Sequence, residues 1–413
     1  MRSLTAALAA ALVLASSAPA RADGEVRISL QEALRAAQRA APDLAVARAR
    51  ESVAQAEVGV AGVYPNPAVA FGTSTQAAKL SGTVSVQLVV LGQRGAAIDA
   101  ARADAATVAL DSRVAWVDVR HAATRAYVTL WLAEGIAEAK RDSAAIEGAL
   151  EAAVVQRVEV GAAPQLDALR VHAERLRADA DVLEASAQVS AAGSELGRWM
   201  GVGEGSNLRT TRDLQVYDSP PTLAALLARV DAGASVRREQ SDVRASEARA
   251  ARERALVRPG MSIDLGLDAF DPTLLPPGAG TGAQPPVNYR AQLTIDLPLF
   301  NQRGAYVERE IAQGDVARAR VRAARVLGAA ELTAAYRNYE AATAQQHTLS
   351  GSVVPAARVA AKATEDAYAL GRAQLVAVLD ADRSLVDAKV LSAEAAASEA
   401  NAWIDVVHAL GAP

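Results

Sequence analysis

The sequence contains no cysteine. This excludes disulfides, thiolate metal sites and thiol catalysis. It also excludes the acylated cysteine that follows a bacterial lipoprotein signal, so no lipid anchor is expected. Aromatic residues make up only 4%, which argues against large aromatic cores, while abundant alanine suits close packing of helices through small side chains. The net charge of −4 leaves no basic footprint for nucleic acid. Beyond Asp23 no apolar run reaches the roughly 20 residues that a spanning helix needs. A mature chain that enters a membrane therefore has to do so as β-strands, because a bilayer core admits only helices and closed barrels. Catalytic constellations are missing as well: there is no nucleophile motif and no phosphate loop. His121, His172, His347 and His408 lack ligand spacing, and Met200 and Met261 are isolated. Solvated or seam-filling roles are expected for these histidines. No enzymatic activity, no cofactor and no resident metal are expected.

What is present begins with an export signal. Residues 1–22 have Arg2, an apolar stretch from Leu4 to Ala15, and small residues around Ala18-Pro19-Ala20 and Ala20-Arg21-Ala22. Behind it the chain is doubled. Leu91-Gly92-Gln93-Arg94-Gly95-Ala96 is echoed by Phe300-Asn301-Gln302-Arg303-Gly304-Ala305, and Val160-Gly161 by Leu370-Gly371. Ser29-Leu30 opens a helical pattern that ends before Tyr64-Pro65; Thr222-Leu223 opens another that ends at Arg258-Pro259. Each half reads helix, two strands, long helix, glycine turn, helix. The division is a signal at 1–22, a first repeat at 23–200, a linker rich in Gly, Ser, Thr and Asp at 201–221, and a second repeat at 222–413.

The long helices, expected over about Gly95 to Val160 and Ala305 to Leu370, would each extend about 100 Å at roughly 1.5 Å per residue. Flanking helices over about Leu30 to Val63, Gln165 to Met200, Leu223 to Val257 and Gln374 to Leu410 are half as long, so two stacked end to end match one long partner. Long antiparallel coiled-coil pairs follow. Leu166, Leu169, Ala173, Leu176, Ala180, Leu183 and Ala187 alternate spacings of three and four and are read as a seam. Glu174, Arg175 and Asp179 are expected as helix-surface pairs, and Trp116, Trp131, Trp199 and Trp403 as packing residues.

Four segments alternate with period two: Ala68 to Thr75, Thr83 to Leu91, Ser262 to Ala269 and Tyr289 to Leu297. Their length suits tilted transmembrane strands of about nine to eleven residues. In that reading the apolar face meets lipid, and Asp264, Asp268, Arg290 and Asp296 face a water-filled lumen. A soluble sheet over a core shows the same alternation, but long helices offer no compact core to cover. Four strands cannot close a barrel and an open edge in lipid is untenable, so several copies must contribute; three or four would close. Thr75 to Gly82 and Asp271 to Asn288 read as loops on the side away from the helices.

The doubled plan resembles the TolC-type outer membrane factors over nearly all of the mature chain. Pro65-Asn66-Pro67 precedes the first strand, Leu91-Gly92-Gln93-Arg94-Gly95 follows the second, and Leu297-Pro298-Leu299-Phe300-Asn301-Gln302-Arg303-Gly304 follows the fourth. The last two look like the CzcC-like heavy-metal branch. The resemblance implies a homotrimer: a twelve-stranded barrel in the outer membrane, continued by a helical barrel across the periplasm. It also implies partners, namely outer-membrane lipid, a periplasmic adaptor and an inner-membrane pump of the resistance–nodulation–division type. The helical tips with Arg157, Gly161 and Gly371 would meet the adaptor. Tyr368 and Asp167 occupy the positions of a bond between neighbouring hairpins that holds such ducts closed. Asp380 matches one acidic ring of the constriction, and Ala377 stands where a second would be. The expected function is a passive exit duct for divalent heavy-metal cations. Alternatives are a duct for organic drugs or for type I protein secretion, and, of other classes, a periplasmic adaptor or a coiled-coil envelope protein without a pore.

Overall fold

The computed structural model describes residues 25–73, 78–202, 207–212, 214, 220–270 and 287–411. The signal segment and most of the two inter-strand loops lie outside these residues. The first repeat runs β1 (Val26–Ile28), α1 (Leu30–Ala40), α2 (Pro42–Ala61), β2 (Ala68–Thr73), β3 (Ala78–Leu88), α3 (Gln93–Glu159) and α4 (Gln165–Met200). After β4 (Leu208–Thr210), the second runs α5 (Leu223–Leu227), α6 (Ala234–Ala255), β5 (Gly260–Phe270), β6 (Val287–Asp296), α7 (Gly304–Thr348), α8 (Val354–Ala369) and α9 (Leu375–Ala409). With 67 residues, α3 is about 100 Å long. The fold is mainly helical with a small β portion, as the residue pattern predicts.

Local chemistry explains the boundaries. Ser29 caps α1 reciprocally with Glu32: the Glu32 amide donates to Ser29 Oγ at 3.3 Å and the Ser29 amide to Glu32 Oε2 at 2.8 Å. Thr222 caps α5 through the Ala225 amide at 3.4 Å. Pro42 divides the expected first helix in two, because a residue before proline is driven out of the α region and Ala41 sits at ψ 128°. Pro355 has no N–H to continue α7, and the chain passes through a π-turn over Leu349–Val353 before α8 resumes.

Close to the sheet α2, α3, α6 and α7 lie side by side; farther away the row is α4, α3, α9 and α8. Each half-length pair joins end to end at a left-handed glycine. Gly201 (φ +66°) abuts Ala40, where an added Cβ would lie 2.7 Å from the Ala40 Cβ. Gly411 (φ +62°) abuts Ala234, whose amide donates to the Gly411 carbonyl at 3.1 Å. Buried clusters stitch the rows together: Tyr127, Leu130 and Leu196 in the first repeat, Leu332, Trp403 and Val406 in the second. Trp116, Trp131 and Trp199 pack beside such clusters, as expected.

Two features depart from the sequence reading. The leucine stripe of α4 is not the seam with α3: Leu166, Leu169, Leu176 and Leu183 are 56–73% exposed, and the buried stripe is Val171, Ala185, Val189 and Leu196. Both stripes have heptad spacing, and the larger side chains lie on the outer one. The linker at 201–221 contains β4, which pairs in parallel with β1, Val26 opposite Leu208 and Ile28 opposite Thr210.

Candidate channel wall, junction and gate

One antiparallel sheet has the order β2-β3-β5-β6. Its register aligns like with like. Ser85, Asp264 and Gln292 lie abreast; so do Thr83, Gly266 and Arg290, and Ser81, Asp268 and Asn288. Asp296 stands opposite Gly260. The four charged residues singled out from sequence therefore share one face. They are tied there: Arg290 is 3.8 Å from Asp268 and Thr294 Oγ1 donates to Asp264 at 3.3 Å. The other face carries Val84, Leu265, Leu267, Leu293 and Ile295, all well exposed, with Phe71 at 81% and Tyr289 at 86%. The edge strands β2 and β6 are unpaired on their outer sides.

The echoed motifs turn out to be the hinge between strands and helices. Gly92 (φ +85°) and Arg303 (φ +56°) adopt left-handed backbone just before α3 and α7. Arg94 Nε donates to the Gly62 carbonyl at 2.6 Å and its guanidinium stacks 4.4 Å from the Tyr64 ring, which fixes the end of α2 to the start of α3. Arg303 Nε donates to Glu253 on α6 at 2.8 Å and its guanidinium lies over Tyr306. Gln93 Nε2 donates to the Pro259 carbonyl at 3.2 Å, and Arg258 donates to the Leu91 carbonyl. The repeat was visible in the sequence; its mechanical role was not, because each arginine meets a partner distant along the chain.

At the far end both hairpins turn on glycine, Gly161 at φ +74° and Gly371 at φ +69°. Ala162 N donates to the Arg157 carbonyl at 2.7 Å and Arg372 N to the Ala367 carbonyl at 2.8 Å, the same helix-terminating bond twice. The tips are bolted together by Val154, Val171, Leu375 and Leu379. Within the chain Tyr368 pairs with Arg157, whose guanidinium lies 4.8 Å from the ring and donates to the Tyr368 carbonyl at 3.4 Å. Asp167 lies in the first turn of α4. Among the described residues neither its carboxylate nor the Tyr368 hydroxyl has a hydrogen-bond partner. Asp380 is exposed and 3.9 Å from Arg383, which also binds Glu174 at 2.5 Å. Arg175 joins Glu151 at 2.9 Å and Asp179 at 3.8 Å, so the surface charges act between helices as well as along one.

Sequence reasoning missed Glu147. It is buried, its Oε2 has no partner, and burial together with the neighbouring Asp382 and Glu174 carboxylates pushes its pKa up to about 6. It also missed that His121 and His408 meet, ring centroids 4.3 Å apart. Among the described residues no helix is long and apolar enough to cross a membrane, and no three His, Asp or Glu side chains gather as a metal site.

A two-faced sheet on a palisade of long helices recurs in solved structures. The fold matches a membrane protein from Pseudomonas aeruginosa with a TM-score of 0.73 at 19% identity, over 94% of this chain and 91% of that one. It matches CusC, studied for its conformational changes on folding and transmembrane channel formation, at 0.73 and 15% over 94% and 93%. It matches the outer membrane protein VceC from Vibrio cholerae at 0.68 and 17% over 92% and 96%. No curated protein matches the sequence. Residues 222–412 match the family model described as outer membrane efflux protein. That sequence pattern in the second repeat joins a fold shared with solved outer-membrane channels.

Proposed function

We propose that three copies of the chain form an outer-membrane exit duct for divalent heavy-metal cations. One observation carries the duct: a four-stranded sheet, polar on one face and uncovered apolar on the other, with both edges open. In lipid the edges must pair and the apolar face needs no other cover. The same closure suits the helices. One side of the chain ends in α2 and α4, the other in α7 and α8. Val46, Val53 and Val60 on α2 are exposed at heptad spacing, and Ile311 on α7 and Val359 on α8 are exposed too, so each free side offers apolar surface to a second copy. Asp264, Asp268 and Asp296 outnumber Arg290 on the polar face, and three copies of Asp380 would ring the far entrance. Both favour cations. The Tyr368 hydroxyl and the Asp167 carboxylate, which have no hydrogen-bond partner among the described residues, would form the closing bond between neighbours. The tips around Arg157, Gly161 and Gly371 are assigned to a periplasmic adaptor, and an inner-membrane pump of the resistance–nodulation–division type supplies the work. The metal assignment rests on the Leu91 to Gly95 and Leu297 to Gly304 motifs.

Planar-bilayer recording tests the duct. The wild type should conduct with cation preference, and Asp380→Asn should lower that preference several-fold. Absence of any conductance would remove the pore. Gene deletion tests the cargo: tolerance of zinc, cobalt or cadmium should fall, and unchanged tolerance would remove the metal while leaving the duct.

A further inference from the structure

Between α1, α3 and α9 lies a cavity of about 250 Å³ lined by Leu30, Leu34, Val117, Arg120, His121 and Trp403 among others. The charges around it are nearly all answered. His121 Nε2 meets Asp405 at 2.8 Å, Arg125 meets the same carboxylate at 3.0 Å, and His408 Nε2 meets Asp118 at 2.9 Å. Arg120 is the exception. Its guanidinium is part-buried in the cavity wall, and among the described residues it has neither hydrogen bond nor ion pair. Burial alone draws its pKa below the ordinary arginine value, with no nearby carboxylate opposing the shift. A guanidinium does not shed its proton in a protein, so the chain holds a part-buried positive charge, unanswered among the described residues, beside the aliphatic side chains that form half of the recess. Removing a charge from water without a partner is costly, and an anion in the recess would relieve that cost.

The chemistry of that anion follows from the walls. One free cation answers one negative charge. The planar guanidinium fork matches a carboxylate with two parallel N–H···O bonds. The aliphatic side chains of Leu30, Leu34 and Val117 suit an apolar body, and the volume equals that of about eight waters in the liquid, room for a small organic molecule. A doubly charged, fully hydrophilic phosphate finds no second cation. A lipid headgroup is out of reach, since Arg120 lies 27 residues into α3, about 40 Å from its strand end at 1.5 Å per residue. We propose that this cavity binds a small organic monocarboxylate, its carboxylate on Arg120 and its apolar body against Leu30, Leu34 and Val117. The carboxylate site does not rest on the duct reading.

Equilibrium dialysis of the full chain in detergent, with benzoate as probe, tests the site. Benzoate should bind saturably and raise the melting temperature. Neutral benzamide should do neither, and inorganic phosphate should bind at least tenfold more weakly. Arg120→Gln should lose benzoate binding at least tenfold while melting no lower than the wild type, because it removes an unpaired charge. Leu34→Trp, which fills the recess and leaves Arg120 in place, should lose it too. The proposal is overturned if benzoate does not bind the wild type, if either variant binds it unchanged, or if phosphate binds as tightly. It is also overturned if Arg120→Gln dissociates the oligomer without any benzoate effect, which would show that a neighbouring copy's carboxylate already answers the charge.

Discussion

At the scale of single residues the informative side chains are those whose chemistry conflicts with their surroundings. Glu147 is one. It sits on α3 where α4 and α9 converge, facing Glu174 from α4 and Asp382 and Arg383 from α9. Arg383 is already held by Glu174 and Asp380, so Glu147 is left to bury a carboxyl without a partner for Oε2. Its folded pKa of about 6 lies above the unfolded value of about 4.3. The stability this confers is complete below the unfolded pKa and is lost as pH rises through 6; the loss is on the order of 2 kcal/mol at most. Glu147→Gln should therefore raise the melting temperature near pH 8 and leave it unchanged near pH 4. An equal effect at both values would show that the carboxyl is solvated. Nothing in the sequence marks this residue: it is one glutamate among many on a charged helix, and its burial comes from a helix more than two hundred residues away.

At the scale of elements, helix lengths and strand positions were legible because period and punctuation are local. The alternation in Ser262 to Ala269, the glycines at 161 and 371, and the capping residues Ser29 and Thr222 each act within a few residues. Partner choice was not legible. The α4 leucines have the right spacing for a seam, yet Val171 and Val189 face α3, since spacing reveals a stripe and not what covers it. The end-to-end joints were expected from lengths alone, and the structure supplies their chemistry. At Gly201 and Gly411 a side chain would meet both left-handed backbone strain, about 1–2 kcal/mol, and atoms closer than 3 Å. Gly201→Ala and Gly411→Ala should each lower the melting temperature by several degrees. Gly148→Ala should do the opposite: that glycine lies inside α3 with nothing within 4 Å of an added Cβ, and alanine gains about 1 kcal/mol in a helix interior. A shared sign across the three variants would show that the joints are loose.

For the whole molecule, what matters is that one chain is an open object. Its sheet ends in two unpaired strands, its helical rows end in α2 and α4 on one side and α7 and α8 on the other, and apolar surface lies uncovered on the sheet and along both sides. The register makes the two sheet faces separable by single substitutions. Leu293 lies on the apolar face opposite Ile263, and the adjacent Gln292 lies on the polar face opposite Asp264. If the apolar face meets lipid, Leu293→Arg places a charge in hydrocarbon and should cost about 2–4 kcal/mol near the midplane, seen as reduced recovery of folded oligomer in vesicles. Gln292→Arg adds the same side chain one residue away but points it to the water-filled side. It should assemble normally and shift conductance toward anions. The prediction separates a membrane barrel from a soluble sheet with one contrast: equal assembly of the two variants, or failure of Gln292→Arg with Leu293→Arg unaffected, would place water where this reading places lipid.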